Sequence, residues 1–201
     1  MYKYTDEEGI FSVKVARDAV ENYLKNGTIP EYDFNEKFKR NSGVFTTINS
    51  YPEKELRGCI GFPEPIMPLG EALVKSAIYA ATEDPRFTPL SYKELDHVVF
   101  EVSLLTPPEE IKVKSPDEYI KNIRIGEDGL IVSYGPYSGL LLPQVATEYS
   151  MDEKTFLEHT CMKAGLEPDC WRWKNIKIFK FQAEIFAEEK PKGEIKRVIL
   201  K

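Results

Sequence analysis

Six residues constrain this chain more than any others: Leu56-Arg57-Gly58-Cys59-Ile60-Gly61 puts a cation, a thiol and two glycines into a stretch that otherwise reads as a buried strand. Side chains on a strand alternate faces, so Leu56, Gly58, Ile60 and Phe62 share one side while Arg57, Cys59 and Gly61 share the other. The apolar side needs a core to cover it. The other side presents a thiol two residues from a guanidinium, and Gly58 and Gly61 leave backbone that a ligand or a second segment can approach closely. Such a strand is expected to lie in a sheet and to carry a site.

The neighbouring sequence supplies the rest of the sheet. Residues 43–49 read as a strand that reaches 56–62 through Tyr51-Pro52-Glu53, making an antiparallel pair. Val98 to Leu105 alternates Val98, Phe100, Val102 and Leu104 against Val99, Glu101, Ser103 and Leu105, which predicts a central strand with polar inserts. Apolar residues recur at helical spacing over 11–25 and over 69–82, the second ending at Asp84-Pro85-Arg86-Phe87. A third helix is expected after Ser150-x-x-Glu153, read as a capping box, with Phe156, Leu157, Thr160, Cys161 and Ala164 buried and Gly165 as its stop. His159 falls about 160° from Leu157 on that helix and so faces water.

Pro107-Pro108 is the clearest internal boundary. After it a short strand at 111–113, a helix near 117–123 and a hairpin from Leu130 to Leu142 turned at 135–139 are expected, followed by a strand over 176–187 and a charged tail. The expected architecture is α+β with two unequal lobes. Residues 1–106 and 144–201 form a main antiparallel sheet flanked by helices, and residues 107–143 form a small inserted β-α-β-β lobe.

Composition narrows the function classes. With no repeat or low-complexity run, 42% hydrophobic and 30% charged residues describe an ordinary folded protein rather than a disordered one. No apolar run reaches the roughly 18 residues that span a bilayer, and no signal-peptide core is seen, so a cytoplasmic protein without membrane association is expected. Cys59, Cys161 and Cys170 are too few and too scattered for a disulfide framework, and none has zinc spacing; no metal and no cofactor are expected. A net charge of -6 opposes bulk nucleic-acid binding. The stretch 172–181, with Lys174, Lys177 and Lys180 among aromatics, reads as a strand with a solvated basic face.

The six-residue motif, taken with Asp84-Pro85-Arg86-Phe87, Glu101-Val102-Ser103-Leu104-Leu105, Leu142-Pro143-Gln144-Val145 and Lys163-Ala164-Gly165-Leu166, resembles the AMMECR family from about residue 10 to about residue 188. One departure is Met151-Asp152, where that family usually has Trp-Asp. The resemblance implies two unequal lobes around an antiparallel sheet, with the characteristic residues near where the lobes meet. It also implies a neighbourhood of Memo-type proteins and radical S-adenosylmethionine enzymes, and supplies no reaction.

Two functional readings follow. In the first, the chain is an enzyme with a site in a cleft between lobes, acting on a small anionic, nucleotide-like or modified-residue substrate. Cys59 is its nucleophile, activated by Arg57, and because no histidine is placed to serve, the base is a carboxylate such as Glu83, Asp84 or Glu101. Arg57 and Arg86 clamp a phosphate or carboxylate, and Gly58, Gly61, Ser103 and Gln144 line the substrate. In the second, the same groove holds a peptide or a protein partner of the Memo type without catalysis. Cys59 is then a small packed hydrophobe, as most free cysteines are.

Overall fold

The two strands joined through Tyr51-Pro52-Glu53 pair as expected, and around them the computed structural model describes residues 4–199. Contacts divide the described residues into two units, 4–105 with Glu184–Val198, and Thr106–Ala183 with residue 199. In the first unit β1 (Val44–Ser50) is central, with β2 (Leu56–Phe62) and β3 (Val98–Leu105) antiparallel on either side. Helices α1 (Asp6–Asn26) and α2 (Leu69–Thr82) pack on one face of this sheet.

Local sequence explains these helices. Thr5 and Glu8 cap α1 reciprocally, the Glu8 N–H donating to Thr5 Oγ1 at 3.2 Å and the Thr5 N–H to Glu8 Oε2 at 2.9 Å, so the helix begins before residue 11. Small residues bring α2 close to the sheet, where Thr46 Oγ1 and Ser76 Oγ are 2.7 Å apart. The expected charged tail is a strand: β8 (Ile195–Val198) pairs antiparallel with residues 185–188 of β7 (Lys177–Glu188).

In the second unit β5 (Asp128–Tyr134) lies between β6 (Tyr137–Leu141) and the first half of β7, and the short β4 (Glu109–Glu110) pairs with β7 at Phe179 and Lys180. The strand expected at 111–113 is therefore shifted to Glu109–Glu110. A short helix, α3 (Glu118–Lys121), precedes β5. Two helices follow the hairpin, α4 (Pro143–Glu148) and α5 (Glu153–Lys163). Asp152, not Ser150, caps α5, accepting from the Thr155 N–H at 2.7 Å, while Ser150 sits at φ 51. The expected small lobe, 107–143, is the first part of this unit. Phe156, Leu157 and Ala146 share one core with Leu130, Val132 and Ile178, so the helices after Pro143 pack with the hairpin.

One expectation about the cysteines is overturned: Cys161 and Cys170 form a disulfide, with a Cα–Cα distance of 5.8 Å. Gly165, at φ 75, reverses the chain at the end of α5, and a 3-10 turn at Cys170–Arg172 brings the second sulfur back. Two cysteines nine residues apart are enough for one staple without any framework. Among the described residues no helix is long and apolar enough to cross a membrane, and no cluster of three or more His, Cys, Asp or Glu is arranged to hold a metal.

Candidate functional site

The site is a row across three strands. Thr47 of β1 lies opposite Cys59 of β2 on one side and opposite Glu101 of β3 on the other, and strand alternation points all three away from α2. Thr47 Oγ1 donates to Cys59 Sγ at 3.4 Å. Two strand spacings put the Cys59 and Glu101 backbones roughly 10 Å apart, with Thr47 as the floor between them. Cys59 is a free cysteine and half-buried; Glu101 is half-buried and has no hydrogen-bond or ion-pair partner among the described residues.

The outer edge of β2 is closed by the loop that leaves α2. The Cys59 N–H donates to Asp84 Oδ2 at 2.9 Å, and Arg86 Nη2 donates to the Cys59 carbonyl at 3.3 Å. Asp84 also accepts from the Arg86 backbone N–H, from Nε at 2.9 Å and from Nη2 at 2.7 Å. One aspartate thus ties the loop to the strand edge, which would otherwise offer unpaired backbone to another chain. The motif Asp84-Pro85-Arg86 is an edge clamp as well as a helix exit.

Charges follow from this geometry. Four donated hydrogen bonds, led by those of Arg86, hold the Asp84 carboxyl well below the usual carboxylate range against its burial. Burial pushes the Cys59 thiol up; the Thr47 hydrogen bond and the Arg86 charge oppose the rise, and Asp84 and Glu101 add to it. Burial alone pushes the Glu101 carboxyl up. The reactive low-pKa thiolate expected beside Arg57 is not what the fold provides. Arg57 turns to the loop, where Nη1 donates to the Thr88 carbonyl at 2.8 Å, and Nε and Nη2 to Glu94 Oε1 at 3.3 and 3.1 Å. The cation that acts on the thiol is Arg86.

The remaining expected residues are placed as follows. The two guanidiniums do not form an open clamp: Arg57 has a protein partner on each nitrogen, and Arg86 keeps only Nη1 for a ligand, its side chain 55% exposed. Neither glycine leaves backbone bare. A Cβ on Gly58 would lie 2.0 Å from the Ala80 carbonyl oxygen of α2, and one on Gly61 would enter the Phe45 ring. Ser103 is buried, opposite Phe45. Gln144 belongs to the second unit, on α4, where its Oε1 is buried without a hydrogen-bond partner. Sequence reading missed Thr47 and Glu94; the alternation of β1 could have found Thr47, since it fixes which residues face Cys59.

Comparison with known proteins agrees over nearly the whole chain. The family model AMMECR1 matches residues 13–186. A protein of Methanocaldococcus jannaschii is 55% identical over 191 residues, covering 95% of each chain, and one of Thermoplasma acidophilum is 53% identical, covering 94% of this chain and 91% of its own. The crystal structure of an uncharacterised Pyrococcus horikoshii protein, 53% identical, superposes with a TM-score of 0.87 over 99% of this chain and 100% of that one.

Proposed function

The chain belongs to the AMMECR1 family, and from the row its motif cysteine occupies we propose that it is an enzyme whose reacting groups are Cys59 and Glu101. The observation that carries this reading is the unpartnered Glu101 carboxyl on the same sheet face as the one free thiol among the described residues. Of the carboxylates near Cys59, Asp84 is locked as an anion by its four donors and takes up no proton at working pH. Glu101, raised by burial, is the stronger base once ionised. A thiol that is itself raised needs such a base.

The chemistry balances as a displacement. Glu101 takes the Cys59 proton through a water held over Thr47, the Sγ–C bond forms as the bond to the leaving group breaks, and Glu101 passes the proton to the leaving group; a second water, deprotonated by Glu101, then breaks the Sγ–C bond and its proton restores the thiol. The substrate class this favours is a small electrophile; an anionic group on it would reach Arg86 Nη1 by a single hydrogen bond rather than a bidentate fork. The test is an untargeted metabolite comparison of a deletion strain complemented with wild type, Cys59→Ala or Glu101→Gln. Both variants should leave the accumulated metabolite in place; restoration by Cys59→Ala overturns the reading.

A second reading has an observation of its own. Both arginines are engaged within the fold, which suits a non-catalytic surface for a peptide or a Memo-type protein. Restoration by Cys59→Ala and by Glu101→Gln alike is the result that favours it.

A further inference from the structure

Away from Cys59, the second unit carries a surface that this reaction does not use. Residues 129–147 contain no charged side chain, and 170–183 contain Arg172, Lys174, Lys177 and Lys180 but no carboxylate, in a chain with 33 carboxylates among 201 residues. The fold brings the two stretches together: β5 pairs with β7 from Ser133 opposite Lys177 upward, and β6 returns beside β5. At the shared end stand three aromatic side chains. Tyr134 and Tyr137 face each other across the hairpin, 37% and 51% exposed, and Trp173 meets the Tyr134 ring edge-on with centroids 5.6 Å apart.

Cations flank Trp173 in the chain, Arg172 before it and Lys174 after it. Lys174 follows Trp173 and is exposed, and Lys177 is exposed at the strand start on the opposite sheet face. Arg172 lies over the Trp171 ring at 4.3 Å. Arg172 pairs with Asp117 at 3.1 Å, exposed on both sides and therefore weak, while Lys180 is engaged by the buried Asp128 at 3.6 Å. Asn175, at φ 68, makes the turn between Lys174 and β7, and the 3-10 turn just before Trp173 is anchored by the Cys161–Cys170 disulfide. The two tyrosine rings are therefore exposed at the surface, and Trp173, partly buried against the core of the unit, supports them from beneath the hairpin end.

We propose that this end of the second unit, Tyr134, Tyr137 and Trp173 with Arg172 and Lys174, binds single-stranded nucleic acid by stacking bases on the rings and pairing phosphates with these two cations. Stacking tolerates any base because every base has a π-face, and a short track of cations fits the spaced phosphates of an unpaired strand. A proline-rich peptide would find the rings but no use for the cations. A duplex keeps its bases from the rings, and the net charge of -6 repels its denser phosphates.

The experiment uses the full oxidised chain and fluorescently labelled oligonucleotides of about twelve residues, as oligothymidylate, mixed-sequence RNA and the matching duplex, titrated at several salt concentrations. Single strands should bind and quench tryptophan fluorescence, and the duplex should bind at least tenfold more weakly. Comparison of the DNA and RNA arms shows whether the 2′-hydroxyl contributes. Tyr137→Ala, at an exposed position that leaves the fold intact by circular dichroism, should weaken binding roughly tenfold. Lys174→Gln should weaken it for every sequence and lower the salt slope by about one. Absence of single-strand binding at low salt overturns the proposal, as does equal binding of duplex, or binding that neither Tyr137→Ala nor Lys174→Gln reduces.

Discussion

Cys59 and the Cys161–Cys170 pair are held by opposite means. Around Cys59 the chain is fastened by hydrogen bonds between ionised groups: Asp84 and Arg86 close the strand edge, and Arg57 with Glu94 ties the next turn of loop. The second unit has its helix end and following turn joined by a covalent bond, with both sulfurs fully buried. The first arrangement keeps a thiol free and answers to pH; the second uses up two thiols and answers to reductant. The proton transfer proposed for Cys59 and Glu101 is better served by the first, since its framework can be rigid while its thiol stays available.

The strongest way to break this comparison is steric. Gly58→Ala should destabilise the first unit by about 3 kcal/mol or more, because the new methyl meets a helix carbonyl that cannot swing aside. Hydrogen exchange should show protection lost over 44–62 and 69–82 and retained over 128–141. Loss over both regions alike would mean that the two do not respond separately.

Next in size is the disulfide. Cys161→Ala with Cys170→Ala opens a loop of sequence separation nine and should cost about 2–3 kcal/mol in denaturant unfolding. Cys59 alkylation in the native state should be unchanged by it.

A smaller effect belongs to the edge clamp. Asp84→Asn keeps the shape but turns an amide toward donors, and should cost about 2 kcal/mol. Asp84 has a folded pKa below its unfolded one, so its contribution is complete above the unfolded value near 4 and is lost as pH falls through the folded value. Wild type should therefore lose stability on acidification from about pH 5 downward more steeply than Asp84→Asn, measured by urea midpoints. Parallel curves would remove Asp84 from the clamp.

How much was legible follows the range of each interaction. Leu69–Thr82 and Val98–Leu105 read correctly to the residue because period and punctuation are local, and the face of Cys59 follows from strand alternation. Arg17 lies in the helix expected over 11–25 but carries a charge that its apolar spacing leaves unexplained; it is buried against Glu188, its Nε 2.6 Å from Oε1, a partner 171 residues away that no local pattern announces. The two motif arginines failed as a clamp for the same reason. Their partners, Glu94, Thr88 and Asp84, lie on a loop whose path over β2 depends on how α2 docks. The pairing of Cys161 with Cys170 needed the reversal at Gly165, and that glycine had been read only as a helix stop.

Whether Cys59 and Glu101 exchange influence across Thr47 is tested most directly by alkylating the native protein with iodoacetamide at a series of pH values, reading Cys59 by mass spectrometry in wild type and Glu101→Gln. Coupling of the two groups predicts that Cys59 labels without unfolding, with a midpoint above the ordinary thiol value of about 8.5, and that Glu101→Gln brings the midpoint down by removing a carboxylate that disfavours the thiolate. Labelling of Cys59 only on unfolding, or a midpoint that Glu101→Gln leaves in place, would contradict it.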